Sequence, residues 1–169
     1  RMLRIEPLGK QHDRKQFDCG SEALNNYLRK TARQHNEKGV SRTYVLVDEQ
    51  SPSNILGCLS LTLCEIHAQV LPEQFAKKFP TTVPAAKLGR LAIAKAQQRR
   101  GLGEMLLLFA MERAYTVFKQ MGIVGFIVEA KNKYAAEYYR QYGFIPFPSN
   151  SLTLYLPMQL IKQAFEKKD

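Results

Sequence analysis

The sequence lacks any apolar run long enough to cross a bilayer. Its longest, Ile55 to Cys64, is interrupted by Gly57, Ser60 and Thr62, against the ~20 residues that a crossing helix needs. A transmembrane helix is excluded on this ground. The opening residues, Arg1 to Lys10, alternate charged and apolar groups and have nothing like the apolar centre of a secretory signal. A cytoplasmic protein is the expectation, with Arg1 before Met2 read as a residue left by an expression tag. Cysteine is scarce: Cys19, Cys58 and Cys64 are odd in number and show no Cys-x-x-Cys spacing, which speaks against a disulfide framework and a zinc site. Cys58 and Cys64, an even interval apart in a strand-like run, are expected to be buried thiols. No other His, Asp or Cys spacing completes a metal site, so none is expected, and His12 and His35 read as surface residues. Internal repeats and low-complexity segments are also missing. Acidic residues are too few to balance the basic ones, and the net charge of +10 raises the local concentration of polyanions such as nucleic acid or acidic lipid.

What remains is a chain of 169 residues, 45% apolar and 10% aromatic, enough for one domain with a substantial core spanning 1–169. Loop-rich stretches are short, at 48–54, 69–84 and 146–151. A strand is expected over 3–8. Ser21 then stands as the cap of a helix whose face carries Leu24, Tyr27, Leu28 and Ala32, reaching to about residue 37. The β-rich runs 43–47 and 55–63 read as an antiparallel pair joined by an irregular turn around Pro52 and Asn54. The second half alternates: a strand over 87–93, a helix through Leu102, Leu106, Phe109, Ala110 and Val117, a strand over 123–128, a helix over 133–142 and a strand over 152–156. This order behind an antiparallel front half predicts a mixed α/β fold with a parallel or mixed central sheet flanked by helices. Ligands in such sheets sit where strands diverge at their carboxyl ends, which directs attention to the turn after Ile93. The tail residues Leu160, Ile161 and Phe165 have helical spacing and are expected to pack on the domain or on a second copy in a homodimer.

At that turn the sequence reads Gln98-Arg99-Arg100-Gly101-Leu102-Gly103, an anion site in outline. Glycines let the backbone approach a ligand, N–H groups ahead of a helix point outward unpaired, and the helix dipole adds positive character. Arg99 and Arg100 add charge-assisted bonds to phosphate oxygens. A P-loop is ruled out because no Gly-Lys-Ser/Thr comes after the loop, and a dinucleotide fingerprint because Leu106 stands where glycine or alanine is needed. Some forty residues further on come Asn132 and then Tyr138-Tyr139-Arg140-Gln141-Tyr142-Gly143-Phe144.

Taken together, strand, Gln-Arg-Arg-Gly-Leu-Gly, helix, strand, Asn, helix and Tyr-x-x-x-Gly-Phe resemble the GNAT superfamily of acyl-CoA-dependent N-acetyltransferases, over 87–147. The resemblance implies a GNAT fold, with a central mixed, mostly antiparallel sheet, and acetyl-CoA as co-substrate. It implies that Gln98, Arg99, Arg100, Gly101, Leu102 and Gly103 hold the CoA pyrophosphate, that backbone groups of Leu91, Ala92 and Ile93 pair with the pantetheine arm, and that Tyr139 lies near the thioester sulfur as general acid. A departing thiolate has a thiol pKa near 8.5, and a phenol near 10 is able to donate as the bond breaks. A finer resemblance spans almost the whole chain. Phe17-Asp18-Cys19-Gly20, Leu24-Asn25-Asn26-Tyr27-Leu28, Ala32, Ser41-Arg42-Thr43-Tyr44-Val45, Lys87-Leu88-Gly89-Arg90-Leu91-Ala92 and Leu154-Tyr155-Leu156-Pro157 are similar to the acetyltransferase toxins of bacterial toxin–antitoxin pairs. For that group the resemblance implies acetylation of the α-amino group of aminoacyl-tRNA, a block on translation, and neutralisation by a ribbon-helix-helix antitoxin. A tRNA substrate would give the +10 charge a use, with salt-dependent affinity.

Other residues carry open readings. Asn132 either bonds the cofactor or caps the helix starting near Lys133, or both. Tyr138 and Tyr142 form an i, i+4 pair on a face about 100° from Tyr139 and read as structural. Gly89 and Gly143 are expected at turns or bulges, and Phe144, Ile145 and Phe147 in the core. Glu65 and His67 alternate to one face after a strand and are the available general bases. Arg29, Lys30, Arg33, Lys38 and Arg42 form one basic belt, Lys77, Lys78, Lys87 and Arg90 another; Arg90, beside the cofactor strand, is the expected substrate contact. Two alternatives stand beside the toxin reading: an acetyltransferase for a protein amino terminus, lysine or small amine, and a non-catalytic CoA- or RNA-binding module.

Overall fold

A computed structural model describes residues 2–166. The strands are β1 (Leu3–Pro7), β2 (Arg42–Asp48), β3 (Ser51–His67), β4 (Thr82–Ile93), β5 (Gly125–Glu129), β6 (Ile145–Phe147) and β7 (Asn150–Pro157). Their hydrogen-bonded order is β1-β2-β3-β4-β5-β7-β6. The β4–β5 pairing is parallel, while β1–β2, β2–β3, β5–β7 and β6–β7 are antiparallel. The chain divides into two compact units: one is the chain up to Thr62 with Gly89–Ala110, the other Leu63–Leu88 with the chain from Met111 onward. The long strands β3 and β4 contribute to both.

In the first unit, Leu3 pairs opposite Asp48 and Pro7 opposite Tyr44, and Arg42 of β2 pairs opposite Leu61 of β3. Val45, Leu46 and Val47 are all fully buried, because three β-branched or leucyl residues in succession cover both faces of a central strand. The helical segment runs as α1 (Glu22–Asn26), a π-helical turn (Tyr27–Thr31) and α2 (Ala32–Lys38). Ser21 is its N-cap, accepting from the Leu24 N–H at 3.4 Å, and Gly39 ends it at φ 73°, a left-handed conformation that costs glycine little. Leu28 and Ala32 on its inner face pack with Val45, Val47 and Ile55. His12, expected at the surface, is instead 4% exposed. Its Nδ1 accepts from the Gly9 N–H at 2.9 Å and its Nε2 lies 3.3 Å from Glu6 Oε1, which is how a buried ring satisfies both nitrogens.

In the second unit, α3 (Glu73–Ala76) follows β3, α5 (Lys133–Arg140) follows β5, and α6 (Met158–Phe165) follows β7. The helix α4 (Leu102–Gln120) begins in the first unit and ends in the second. Leu71, Ala85, Ile127, Phe147 and Tyr155 form a core, with Cys64 and Ile66 packed against it. Cys64 is only half-buried, unlike Cys58, because it lies toward the carboxyl end of β3. Ile161 of the tail is fully buried and Phe165 stacks on Tyr115 with centroids 5.9 Å apart, so these two pack on their own chain, whereas Leu160, expected to pack with them, is exposed because it lies on the outer face of α6. Gly143 has φ 96° and makes the expected turn after α5. Gly89 lies within β4, not at a turn, and a β-carbon there would come 2.9 Å from Ser60 Oγ, so the approach of β3 leaves little room for a side chain. β3 and β4 are both longer than expected, absorbing Pro52 and 82–86 into strands because pairing partners satisfy their backbone.

Gly125 opens β5 where the Leu156 carbonyl oxygen lies 2.5 Å from the place of a β-carbon, with the Tyr155 ring beside it. Gly125→Ala should therefore lower stability by about 1–3 kcal/mol through overpacking, read as a lower urea midpoint with an unchanged m-value.

Candidate active site

The β4–β5 ladder pairs Ala86, Lys87 and Leu88 with Phe126, Ile127 and Val128. β4 then continues through Gly89–Ile93 beyond the last of these pairs. A strand without a neighbour on one side presents N–H and C=O groups to whatever extended ligand lies there. Ala92 is buried, and Leu91 and Ile93 are half-buried. The Ala94 N–H donates to the Leu56 carbonyl at 2.9 Å, so β3 holds this end of the strand. Arg90 is exposed and lies over the Tyr27 ring, 3.6 Å from its centroid; the Tyr27 hydroxyl is itself 3.1 Å from Ser41 Oγ. Stacking fixes the guanidinium plane while leaving its edge in water.

After a short turn at Lys95–Gln97 the backbone bends sharply. Arg99 has φ 66° and Gly101 φ 79°, so the first is a non-glycine residue in left-handed conformation. A β-carbon at Gly101 or Gly103 would meet nothing within 4 Å; the space over this turn is open. Arg99 and Arg100 are exposed beside it. The first N–H groups of a helix point beyond its end, and open space, a helix N-terminus and two guanidinium groups fit a phosphate. The Gln98 side chain, by contrast, donates to the Ile93 carbonyl at 3.0 Å and the Cys19 carbonyl at 3.2 Å. Arg90, Leu91 to Ile93 and the turn from Gln98 to Gly103 thus belong to one unit.

Asn132 and Tyr139 belong to the other unit, on one helix. Asn132 is the N-cap of α5, its Oδ1 accepting from the Ala135 N–H at 2.9 Å, so the capping alternative is realised. The half-buried Tyr139 ring meets Tyr138 edge-on at 5.7 Å and Phe144 at 5.6 Å, and Phe144 in turn meets Phe126 at 6.1 Å. Burial, with a smaller contribution from Tyr138, pushes the Tyr139 phenol up to about 12. It stays protonated, and so remains a donor, across physiological pH. Tyr138 and Tyr142 pair with each other, hydroxyls 3.4 Å apart, on the neighbouring face. Glu65 and His67 are exposed at the end of β3. Lys87 Nζ lies 2.7 Å from Glu129 Oε1, an ion pair across the parallel ladder for which no local pattern of residues gives a sign. Among the described residues no group of three or more His, Cys, Asp or Glu is placed to hold a metal ion.

The acetyltransferase (GNAT) domain family matches residues 39–146, and the chain belongs to that family. A tRNA-acetylating toxin of Mycobacterium tuberculosis is 29% identical over 143 residues, covering 85% of this chain and 84% of the relative. The solved structure of AtaT complexed with acetyl-methionyl-tRNAfMet is similar at a TM-score of 0.89 and 32% identity, over 98% of this chain and 100% of that one. A tyrosine-to-phenylalanine mutant of AtaT, bound to the C-terminus of the antitoxin AtaR and acetyl-CoA, is similar at 0.81 and 31%, over 99% and 100%.

Tyr155, whose hydroxyl donates to the Val124 carbonyl at 2.7 Å, is also pushed up to about 12 by burial. The folded chain keeps the Tyr139 and Tyr155 protons where an unfolded phenol near 10 has lost its own. Stability therefore falls as pH rises from about 10 to about 12. The urea midpoint should decline across that window, and less steeply in a Tyr139→Phe, Tyr155→Phe double variant.

Proposed function

We propose that this chain acetylates the α-amino group of aminoacyl-tRNA, using acetyl-CoA, and acts in the cytoplasm as a translation-inhibiting toxin. The observation that carries this reading is the likeness, over 98% of the chain, to AtaT complexed with acetyl-methionyl-tRNAfMet. The likeness to AtaT bound to its antitoxin's C-terminus and acetyl-CoA supports an antitoxin partner, taken to be a ribbon-helix-helix protein. We also take residues 1–169 as one acetyltransferase domain, because the family match at 39–146 runs through both compact units. Among the described residues no helix is long and apolar enough to cross a membrane, in keeping with a cytoplasmic enzyme.

Acetyl-CoA supplies an acetyl group already activated as a thioester. Backbone groups of Leu91, Ala92 and Ile93 bind the pantetheine amides as an added strand would, and N–H groups at Leu91 and Ile93 polarise the carbonyl. The turn at Arg99, Arg100, Gly101, Leu102 and Gly103 binds the pyrophosphate with N–H donors and guanidinium charge. Asn132 starts the helix that aims Tyr139. Tyr139 donates its phenolic hydrogen toward the departing sulfur. A free thiol near 8.5 is a stronger acid than this phenol, so Tyr139 acts mainly while the C–S bond is breaking, and the final thiol proton comes from water. Arg90 contacts substrate phosphate. An α-amino group esterified at its carboxyl is less basic than lysine, so the neutral nucleophile forms without a dedicated base.

The test is acetyl transfer to a mixed pool of charged tRNAs, read by mass spectrometry of released aminoacyl-adenosines. Acetylated aminoacyl-adenosine is expected, with turnover reduced roughly 10²–10⁴-fold in Tyr139→Phe and tRNA affinity falling steeply with salt. Product on peptides or polyamines alone would replace the tRNA reading with an ordinary acetyltransferase, and silence on every amine with a binding module. Gly101→Ala should cost about 1 kcal/mol of stability for its left-handed residue and weaken CoA binding, seen by calorimetry, by about tenfold or more, since its methyl enters the open space over the turn.

A further inference from the structure

We infer that the Phe17-Asp18-Cys19-Gly20 segment and Asn25 are positioning residues that hold the turn between β4 and α4 in the shape that receives the donor's diphosphate, acting through Gln98 and Lys95. This rests on the reading of that turn as the phosphate site. The segment lies far away in sequence and joins the turn through directed bonds. The Asp18 carbonyl accepts from the Lys95 N–H at 2.8 Å, and the Cys19 carbonyl accepts from the Gln98 side-chain amide at 3.2 Å. Behind these two carbonyls stands Asn25, only 1% exposed. Its Oδ1 accepts from the Cys19 N–H at 2.9 Å and its Nδ2 donates to Asp18 Oδ1 at 3.0 Å. Asp18 Oδ1 also accepts from the Gly20 N–H at 2.9 Å, and these two hydrogen bonds hold the Asp18 carboxyl below its ordinary range. Phe17, 2% exposed, anchors the segment in the core.

A buried amide is costly unless both its ends are bonded. Asn25 uses one end to hold the Cys19 backbone N–H and the other to hold the Asp18 carboxylate, and the carbonyls of these two residues accept from the turn. The turn itself is exposed at Lys95, Gln98 and Arg99, so burial does not shape it. A cavity of about 250 Å³ is lined in part by Phe17, Asp18, Ile55, Lys95 and Gln97, and beside it the segment is linked to the turn by the hydrogen bonds from Lys95 and Gln98. The backbone just past Gln98 needs such a link, because Arg99 at φ 66° is held in a left-handed region that a non-glycine residue adopts only at a cost. Both amide hydrogens of Gln98 are committed, one to Ile93 at the strand's end and one to Cys19. Gln98, expected from the resemblance to touch the pyrophosphate, instead serves the turn that does.

The experiment measures dissociation constants by calorimetry for CoA and for pantetheine, which lacks the diphosphate, on the full chain and on Gln98→Met, Asp18→Ala and Asp18→Asn, with melting curves alongside. Gln98→Met and Asp18→Ala are expected to weaken CoA about tenfold and leave pantetheine unchanged. Asp18→Asn keeps an oxygen that accepts both hydrogen bonds and should retain CoA affinity. Equal weakening of both ligands, or no weakening in either variant, would overturn the inference while leaving the phosphate-site reading intact. A wild-type chain that binds no CoA would overturn both. Gln98 is exposed, so its variant tests the proposal even if Asp18→Ala fails to fold.

Discussion

The donor-binding strand proposed here depends on β4 running five residues past the last partner that β5 offers it. A strand whose ladder stops at Leu88 and Val128 leaves the backbone of Gly89–Ile93 with donors and acceptors on one side, and such groups bind extended amides. β3 supports that stretch from its other edge, through the Ala94 N–H on the Leu56 carbonyl. Gly57 lets it do so closely, since a β-carbon there would come 3.1 Å from the Ala92 carbonyl oxygen. This end of β4 is thus held closely against β3.

Charge is controlled in two opposite ways in this chain. At the glycine turn, positive character comes from the helix N-terminus and from the exposed Arg99 and Arg100, with open space over Gly101 and Gly103. Tyr139 is the opposite case: aromatic walls of Tyr138 and Phe144 make ionisation costly and keep the hydroxyl as a donor. Arg90, stacked flat on Tyr27, is intermediate between these extremes, a charge oriented by an apolar surface yet still solvated. A catalyst for acyl transfer to a polyanionic substrate has use for all three.

Much of this is legible in the sequence for identifiable reasons. Strands and helices with strong periodicity, such as the helix through Leu102 and Leu106 or the β-rich run at 43–47, read close to their true limits. The glycine turn is visible because its residue types have few other uses before a helix. Boundaries fail where pairing decides them: Pro52 and residues 82–84 read as loop but lie in strands. His12 fails because a polar ring is assigned to the surface unless its partners are known, and Gly9 and Glu6 become partners only through the fold of the first strand and turn.

By itself the sequence determined the mixed α/β class, the order of elements, the glycine turn before the long helix and the tyrosine on the helix after β5, since each is encoded by local residue type and spacing. Only the tertiary structure decided which polar groups are spent and which are free. Gln98 and Asn25 look alike in sequence to any surface amide, yet one is bound to carbonyls on both sides of a turn and the other is buried behind them. The reason is physical: hydrogen bonds between residues distant in the chain depend on where the folded backbone puts carbonyls and N–H groups, and no local pattern carries that information.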